Sequence, residues 1–431
     1  MSLELMSLIL IGSLLLLLAM GVHVAIAIGV VASMGLLLFV GQPLNQFASS
    51  AFEIMNSFVL TAVPLFVFMG AILHNTGAIK ILFSGADKLL RGLPGGIACS
   101  VIGANAIFGA MSGSSVAAVA VFGKVGYPEM ERLGYSPRLS LGSLAVGGTL
   151  AVLIPPSVIL IVYGSWENIS VARLFAAAMI PGIVLSLLLM LTAVVLVKLN
   201  PSLAPTAGAV TMRERLTAFV EILPFAGIIV LVLGTIFAGI MTPTESASLG
   251  AFLSILLALA YRKMTFAALK ESMLAAVNIT AMLALLMVTS RVLGQVFQYI
   301  GLIDVFSGFM TGLPFGKYGI FAAICVLYLM LGCFFESFAM LVLTLPFVSQ
   351  IISGLGFDSL WFGVVFVVLA EVGMITPPFG LNLFTLNNVV PQHDIMKIVY
   401  GVLPFFIPLL LMITILTAFP TLALWLPSVL F

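Results

Sequence analysis

The sequence predicts an all-α, polytopic membrane protein: an inverted repeat of two five-span units, each with a re-entrant hairpin and a helix broken at Pro-Pro. Three observations predict it. Of 431 residues, 62% are hydrophobic and 7% charged, with a mean hydropathy of +1.31. Apolar runs of spanning length follow one another along almost the whole chain. The least ordinary features of the first half return, in order, in the second. A soluble domain carries about 25% charged residues, so a cytosolic enzyme is excluded. A net charge of +1 is no footprint for nucleic acid. Cys99, Cys325 and Cys333 lie in apolar stretches without disulfide or metal spacing and read as small hydrophobes.

A spanning helix needs roughly 20 mostly apolar residues, because lipid offers the backbone no outside partner. The apolar run at 5–40 is too long for one span and divides at Gly21-Val22-His23. No basic region precedes it, so no cleaved signal peptide is expected. A third span covers about 58–74, followed by an amphipathic stretch with Lys80, Asp87, Lys88 and Arg91. Residues 94–126 are interrupted by Ser112-Gly113-Ser114-Ser115 and bounded by charges on both sides. That pattern predicts a hairpin entering and leaving by the cytoplasmic face. Spans follow at about 139–164 and 174–198. Pro155-Pro156 sits in the middle of the first, and proline lacks an N–H and clashes with the preceding turn, so this helix breaks at membrane depth.

After a polar cytoplasmic linker at 200–221 the order returns. Spans are predicted at about 223–240, 246–261 and 273–300, then an outer-side hairpin at 318–353 with Glu336-Ser337 near its middle. A helix broken around Pro377-Pro378 (about 360–390) and a span at 398–424 complete the chain. The repeats therefore occupy 1–199 and 222–431.

Charge placement supports this map. With the N-terminus outside and each hairpin returning to its own side, every Lys and Arg except Lys317, Arg173 and Arg291 falls on the cytoplasmic side, as the positive-inside rule requires. Counting either hairpin as a full crossing inverts all later loops and loses the bias. Trp166, Trp361 and Trp425 fall near outer ends, where interfacial tryptophans belong. His23, His74 and His393 sit at segment ends and form no pair suited to haem or a metal.

A shift of 222 residues carries Pro155-Pro156 onto Pro377-Pro378, Ser115 onto Ser337 and Ala117 onto Ala339. Gly92-Leu93-Pro94-Gly95-Gly96 resembles Gly312-Leu313-Pro314-Phe315-Gly316 at 220, and Gly77-Ala78-Ile79 resembles Gly301-Leu302-Ile303 at 224. Loop insertions produce such drifts. An odd number of spans per unit turns the second unit upside down. Inverted repeats with discontinuous helices at matching positions point to the binding site of a secondary transporter.

Helix starts in lipid leave unpaired N–H groups and about half a positive charge; helix ends leave carbonyls and the opposite sign. N-termini at Ser114-Ser115, Pro156-Ser157, Ser337 and Pro378 suit a carboxylate. Unwound carbonyls around Ser112-Gly113, Gly147-Gly148-Thr149, Gly373 and Thr376 suit Na⁺, a hard cation that takes oxygen. Hydroxyls of Ser114, Ser115, Thr149, Ser337 and Thr376, and the Asn382 amide, add ligands. A lone serine in such a helix is ordinarily a cap or an interhelical hydrogen bond; serines at matching hairpin tips favour the functional reading. Glu336 and Glu371 lie in apolar segments, where a charge costs about 2.5–3.5 kcal/mol, so each needs a partner, a proton or water. Glu336, at the tip, is placed at the ion site. Glu245 reads as an N-terminal helix charge in an outer turn. Arg291 reads as snorkelling to the outer interface, with contact to an anion as the alternative.

Three segments carry a family resemblance: Gly109-Ala110-Met111-Ser112-Gly113-Ser114-Ser115, Gly148-Thr149-Leu150-Ala151-Val152-Leu153-Ile154-Pro155-Pro156-Ser157, and Glu371-Val372-Gly373-Met374-Ile375-Thr376-Pro377-Pro378-Phe379-Gly380-Leu381-Asn382. They resemble the DctM-like large membrane subunit of tripartite ATP-independent periplasmic (TRAP) transporters, over nearly the whole chain. One departure is His23, where the family's turn leads one to expect proline. The resemblance implies Na⁺-driven uptake of an organic acid, of C4-dicarboxylate or sialic acid type, across a bacterial inner membrane, with no cofactor beyond the coupling ion. It implies a small four-helix, DctQ-like membrane subunit, expected as a separate chain because Met1 opens directly into the first span. A periplasmic, DctP-like binding protein would deliver the solute. It also implies an elevator, in which the hairpins and broken helices slide against a scaffold.

Rival readings are a standalone carboxylate or ion antiporter of the same architecture, a channel, and a membrane enzyme. A channel does not need paired closed hairpins. An enzyme lacks a catalytic constellation, since Ser112 has no histidine at its depth and no paired aspartates occur in the spans.

Overall fold

The computed structural model describes residues 2–205 and 210–431; residues 206–209 of the expected linker lie outside the described residues. Regular structure among the described residues is entirely helical. The first half holds α1 (Leu3–Ala19), α2 (Val24–Gly35), α3 (Asn45–Met55), α4 (Ala62–Asn75), α5 (Ile79–Leu90), α6 (Gly96–Ser112), α7 (Ser115–Arg132), α8 (Pro137–Leu153), α9 (Val158–Glu167) and α10 (Val171–Leu199). The second holds α11 (Met212–Phe237), α12 (Pro243–Ala260), α13 (Phe266–Tyr299), α14 (Leu302–Thr311), α15 (Gly316–Gly332), α16 (Ser337–Gly354), α17 (Ser359–Met374), α18 (Leu381–Val389), α19 (Ile395–Ala418) and α20 (Thr421–Leu430). Seven helical segments among the described residues, counting α8–α9 as one and including the hairpin arm α16, are long and apolar enough to cross a membrane, or eight if the pair α3–α4, bent by 68°, is one span. This is a multi-pass membrane protein.

Helix lengths echo between the halves. α6 and α15 have 17 residues each, α7 and α16 have 18 each, and the broken helices run 17 plus 10 and 16 plus 9. A helix of 17 residues is about 25 Å long, short of a hydrocarbon core of about 30 Å. Both Pro-Pro bonds are cis.

Two bundles share the chain. α1, α2, α3, α4, α11, α12 and α13 pack among themselves, with α4 between α12 and α13. α6–α10 and α15–α19 form the second bundle, centred on α8 and α17. Burial separates the two kinds of helix: 94% of the most apolar stretch of α8–α9 is enclosed by protein, against 28% in α11 and 33% in α13. The unenclosed faces of α11 and α13 carry the large exposed apolar side chains that lipid requires, such as Val230 and Val277. The amphipathic α5 bridges α11 and α6, and α14 bridges α13 and α16.

Local chemistry explains several departures from expectation. Helix α11 starts inside the segment read as linker, because Thr211 and Glu214 form a capping box: the Thr211 N–H donates to Glu214 Oε2 at 2.7 Å and Thr211 Oγ1 accepts from the Glu214 N–H at 3.3 Å. The first hairpin's second arm runs to Arg132 rather than 126. The last span ends at Ala418, before Pro420, and α20 turns back onto α10. Helix α3 was not expected; its polar Asn45, Gln46, Ser49 and Glu53 mask an amphipathic pattern. His23 takes φ −55° at the N-cap of α2, a proline-like value, so the turn keeps its geometry without proline. Glu245 caps α12 from its third position, as an N-terminal helix charge should. Trp361 is enclosed by protein rather than presented to a membrane interface. It is buried, its Nε1 donates to the Leu416 carbonyl at 2.8 Å, and it stacks on Phe357.

Candidate functional site

Gly113 takes φ +59°, a left-handed conformation that ends α6. A Cβ there would crowd Val158 and approach the Pro156 carbonyl, so the first hairpin tip lies against the first break. Ser114 then caps α7, accepting from the Ala117 N–H at 3.3 Å. Ser115 follows, buried, at the first helical position. Its Oγ accepts from Asn382 Nδ2 at 2.7 Å, and the same amide donates to the Ala145 carbonyl of α8 at 3.3 Å. Asn382, at 0% exposure, thus ties the start of α18 to the tip of the other half's hairpin. Ser112, also buried, has its Cα against Gly70 of α4, so this tip also touches the first bundle.

The second tip is built differently. A shift of 222 residues places Glu336 where Ser114 stands, and Glu336 is the N-cap of α16, accepting from the Phe338 N–H at 3.2 Å. Ser337 is buried, and its Oγ has no hydrogen-bond partner among the described residues. Helix α16 packs on α9 as α7 packs on α18, so each hairpin braces the other half's broken helix. No hydrogen bond joins Ser115 directly to Ser337 among the described residues.

The two breaks differ in exposure. Ile154, Pro155, Pro156 and Ser157 are all buried, whereas Pro377, Pro378 and Phe379 are exposed. At the first break the missing proline N–H frees carbonyls, and Ser157 answers one: its hydroxyl donates to the Val152 carbonyl while accepting from the Leu160 N–H at 3.4 Å. At the second, Thr376 Oγ1 donates to the Val372 carbonyl at 2.5 Å and the Thr376 carbonyl accepts from the Gly380 N–H at 3.0 Å. Phe379 stacks on Phe384 and meets Phe334 of the second tip at a tilt of 46°, with centroids 6.5 and 5.6 Å away.

Gly147, Gly148 and Thr149 are not unwound. They lie inside α8, and Gly373 lies inside α17. Unwinding is set by the prolines several residues later. The glycines serve close approach instead: a Cβ on Gly148 would meet Val119 and stand 3.1 Å from the Ser115 carbonyl, and one on Gly147 would stand 3.0 Å from Asn105. Gly332 and Gly373 bring α15 and α17 into backbone contact, as Gly109 and Ala151 do for α6 and α8. Residue 151 maps onto 373 at the same shift of 222.

Two side chains extend the expected set. Asn105 is buried in α6 beside Gly147, with Oδ1 unpartnered among the described residues; an asparagine in so apolar a helix was the available signal. Glu371, at 0% exposure, also has both carboxyl oxygens unpartnered, and it occupies the position that Thr149 holds in the first half.

The family described as "Tripartite ATP-independent periplasmic transporter, DctM component" has a model that matches residues 11–422. The C4-dicarboxylate TRAP transporter large permease protein DctM of Pseudomonas aeruginosa is 31% identical over 403 residues, covering 93% of this chain and 94% of that protein. The sialic acid TRAP transporter large permease protein SiaM of Vibrio cholerae is 29% identical over 411 residues, 95% of each. The isethionate TRAP transporter permease protein DctMQ of Oleidesulfovibrio alaskensis is 32% identical over 418 residues, 96% of this chain and 65% of that protein. Among solved structures, the YdaH transporter of Alcanivorax borkumensis shares the fold, with a TM-score of 0.52 at 15% identity over 88% of this chain and 89% of that one.

Proposed function

The chain belongs to the DctM component family of tripartite ATP-independent periplasmic transporters, and from that membership we propose that it is the large permease of a bacterial inner-membrane importer that couples entry of an organic acid to Na⁺. Relatives named for C4-dicarboxylate and sialic acid transport favour an acid of one of those types. A small membrane subunit and a periplasmic binding protein complete the machine. The two halves are inverted repeats, and the bundle centred on α8 and α17 is the elevator, linked by α5 and α14 to the other bundle as scaffold.

The observation that carries this reading is the bond between Ser115 and Asn382, which closes a hairpin tip on the broken helix of the other half. The bond brings together the N-termini of α7 and α18, with the C-terminal end of α6 beside them at Gly113. The tips then divide the labour. Ser114 is a neutral cap that uses one N–H and leaves the first N–H groups of α7 open, so a carboxylate is stabilised there by aligned peptide dipoles. Glu336 puts a carboxyl at the equivalent cap, which repels a second carboxylate and favours a cation. On this basis Ser114, Ser115 and Asn382 face the solute, with Pro156 and Ser157 shaping the tip's floor. Glu336, Ser337 and Thr376 face Na⁺, with the freed carbonyls beside Ser112-Gly113, and Pro378 opens the second break toward the solute.

Reconstitution into liposomes with a Na⁺ gradient, the cognate binding protein and a panel of labelled acids tests the reading. Saturable accumulation of one acid, abolished by dissipating the Na⁺ gradient, is expected. Replacing Ser115 or Ser337 by tryptophan should abolish it without preventing membrane insertion. Uptake indifferent to Na⁺, or unaltered in both variants, rejects the assignment.

A further inference from the structure

Cations are scarce on the proposed outer side of this chain, and two of them line adjoining cavities. The first cavity, about 460 Å³, lies between Glu53 and Ser57 near the end of α3, Trp166 and Asn168 near the end of α9, and Arg291 of α13. The second, about 360 Å³, contains Arg173 and Asp358 and shares the turn Asn168-Ile169-Ser170 with the first. Arg291 pairs with Glu53 at 2.5 Å, with 44% and 57% of the side chains exposed. Asp358 is committed elsewhere, capping α17 by accepting from the Leu360 and Trp361 N–H groups at 2.7 and 3.1 Å. Arg173 makes no ion pair among the described residues.

We propose that these adjoining cavities are an outer waiting site for an organic-acid anion, in which Glu53 holds Arg291 until the anion's own carboxylate replaces it. The inference rests on the proposed function and on the orientation that charge placement predicts, which leaves Arg173 and Arg291 off the cytoplasmic side. The Glu53 carboxylate is chemically the same group that an organic acid presents. An exposed ion pair is weak because solvent screens it and two long side chains must be ordered, so exchange is easy. A guanidinium offers a planar fork that matches a carboxylate in two-point contact. Arg173 on the adjoining wall supplies a second positive centre, free to meet a further carboxylate or hydroxyl of the same solute. The faces also come from both bundles, α3 and α13 on one side and the α9–α10 turn on the other. The site therefore sits where the two bodies part. A pair serving only to neutralise Arg291 would show no competition with added acid.

The purified full chain in lipid nanodiscs is titrated with Tris succinate and, separately, Tris N-acetylneuraminate, against Tris chloride of matched ionic strength. The readout is Trp166 emission, taken as the difference between the chain and its Trp166→Phe variant. No Na⁺ or partner protein is present, so failure of Na⁺-coupled uptake and failure of this site are read separately. A saturable Trp166 signal with at least one acid is expected. Arg291→Ala should weaken it about tenfold, and Arg291→Lys should restore part of it, having the charge without the fork. Glu53→Gln should tighten it several-fold, a gain that misfolding cannot imitate. No saturable signal with either acid, wild-type affinity in Arg291→Ala, or weakened binding in Glu53→Gln overturns the proposal.

Discussion

Asn382 donates to Ser115 at 2.7 Å across 267 residues of chain, and both side chains are buried. The bond fastens the tip of one half's hairpin to the first turn of the other half's second helical segment. In a low-dielectric interior such a bond is strong when made and costly when half-removed.

Removing either partner should therefore cost about as much as removing both. Asn382→Ala and Ser115→Ala are each expected to destabilise the chain by about 1–3 kcal/mol. The double variant should fall short of the sum by about 0.5 kcal/mol or more. Thermal unfolding of the singles and the double in one detergent measures the coupling; strict additivity contradicts it.

The contact of Gly332 with Gly373 leaves no room for a methyl group. A Cβ on Gly332 would stand 2.6 Å from the Gly373 Cα. Gly332→Ala and Gly373→Ala should each destabilise by about 1–3 kcal/mol through overpacking. Gly227→Ala, in open space on α11, should be neutral or slightly stabilising. Melting temperatures of the three variants settle the comparison.

Glu336 supplies the only carboxyl at a hairpin tip among the described residues. If it draws Na⁺, Glu336→Gln should raise the Na⁺ concentration for half-maximal uptake about tenfold, equivalent to about 1.4 kcal/mol, with a smaller change in the solute's KM. An unchanged Na⁺ dependence removes Glu336 from the ion site.

Ser157 has its hydroxyl engaged twice, toward Val152 and Leu160. Ser157→Ala should cost about 0.5–2 kcal/mol of stability, as a lost N-cap does. It should leave the KM of the folded fraction near the wild-type value. A selective rise in KM would return this serine to direct contact with solute.

Trp361→Phe discriminates a core tryptophan from an interfacial one. The Leu416 carbonyl loses its donor while an aromatic ring remains against Phe357, so a loss of about 1–3 kcal/mol is expected. Thermal unfolding of the variant and the wild type in one detergent measures the loss, and an unchanged stability contradicts the core role.

The chain's own composition and punctuation dictated its class. Hydropathy marks the long spans, because a helix in lipid needs apolar side chains wherever it stands. Gly113 and the two Pro-Pro pairs mark the breaks, because a left-handed turn and a missing N–H act on the backbone locally. Tertiary contact decided the rest. Gly147, Gly148 and Gly373 look like places to unwind, yet serve close approach, which depends on Asn105, Ser115 and Gly332 arriving from elsewhere. Trp361 resembles an interfacial residue until α19 brings the Leu416 carbonyl to its indole. Helix α3 becomes visible only once α13 covers one of its faces. The Ser115–Asn382 bond and the adjoining cavities at Arg291 and Arg173 have no linear signature at all. Residues far apart along the chain interact only after helices have packed, whereas hydropathy, proline and glycine act within a turn or two of where they stand.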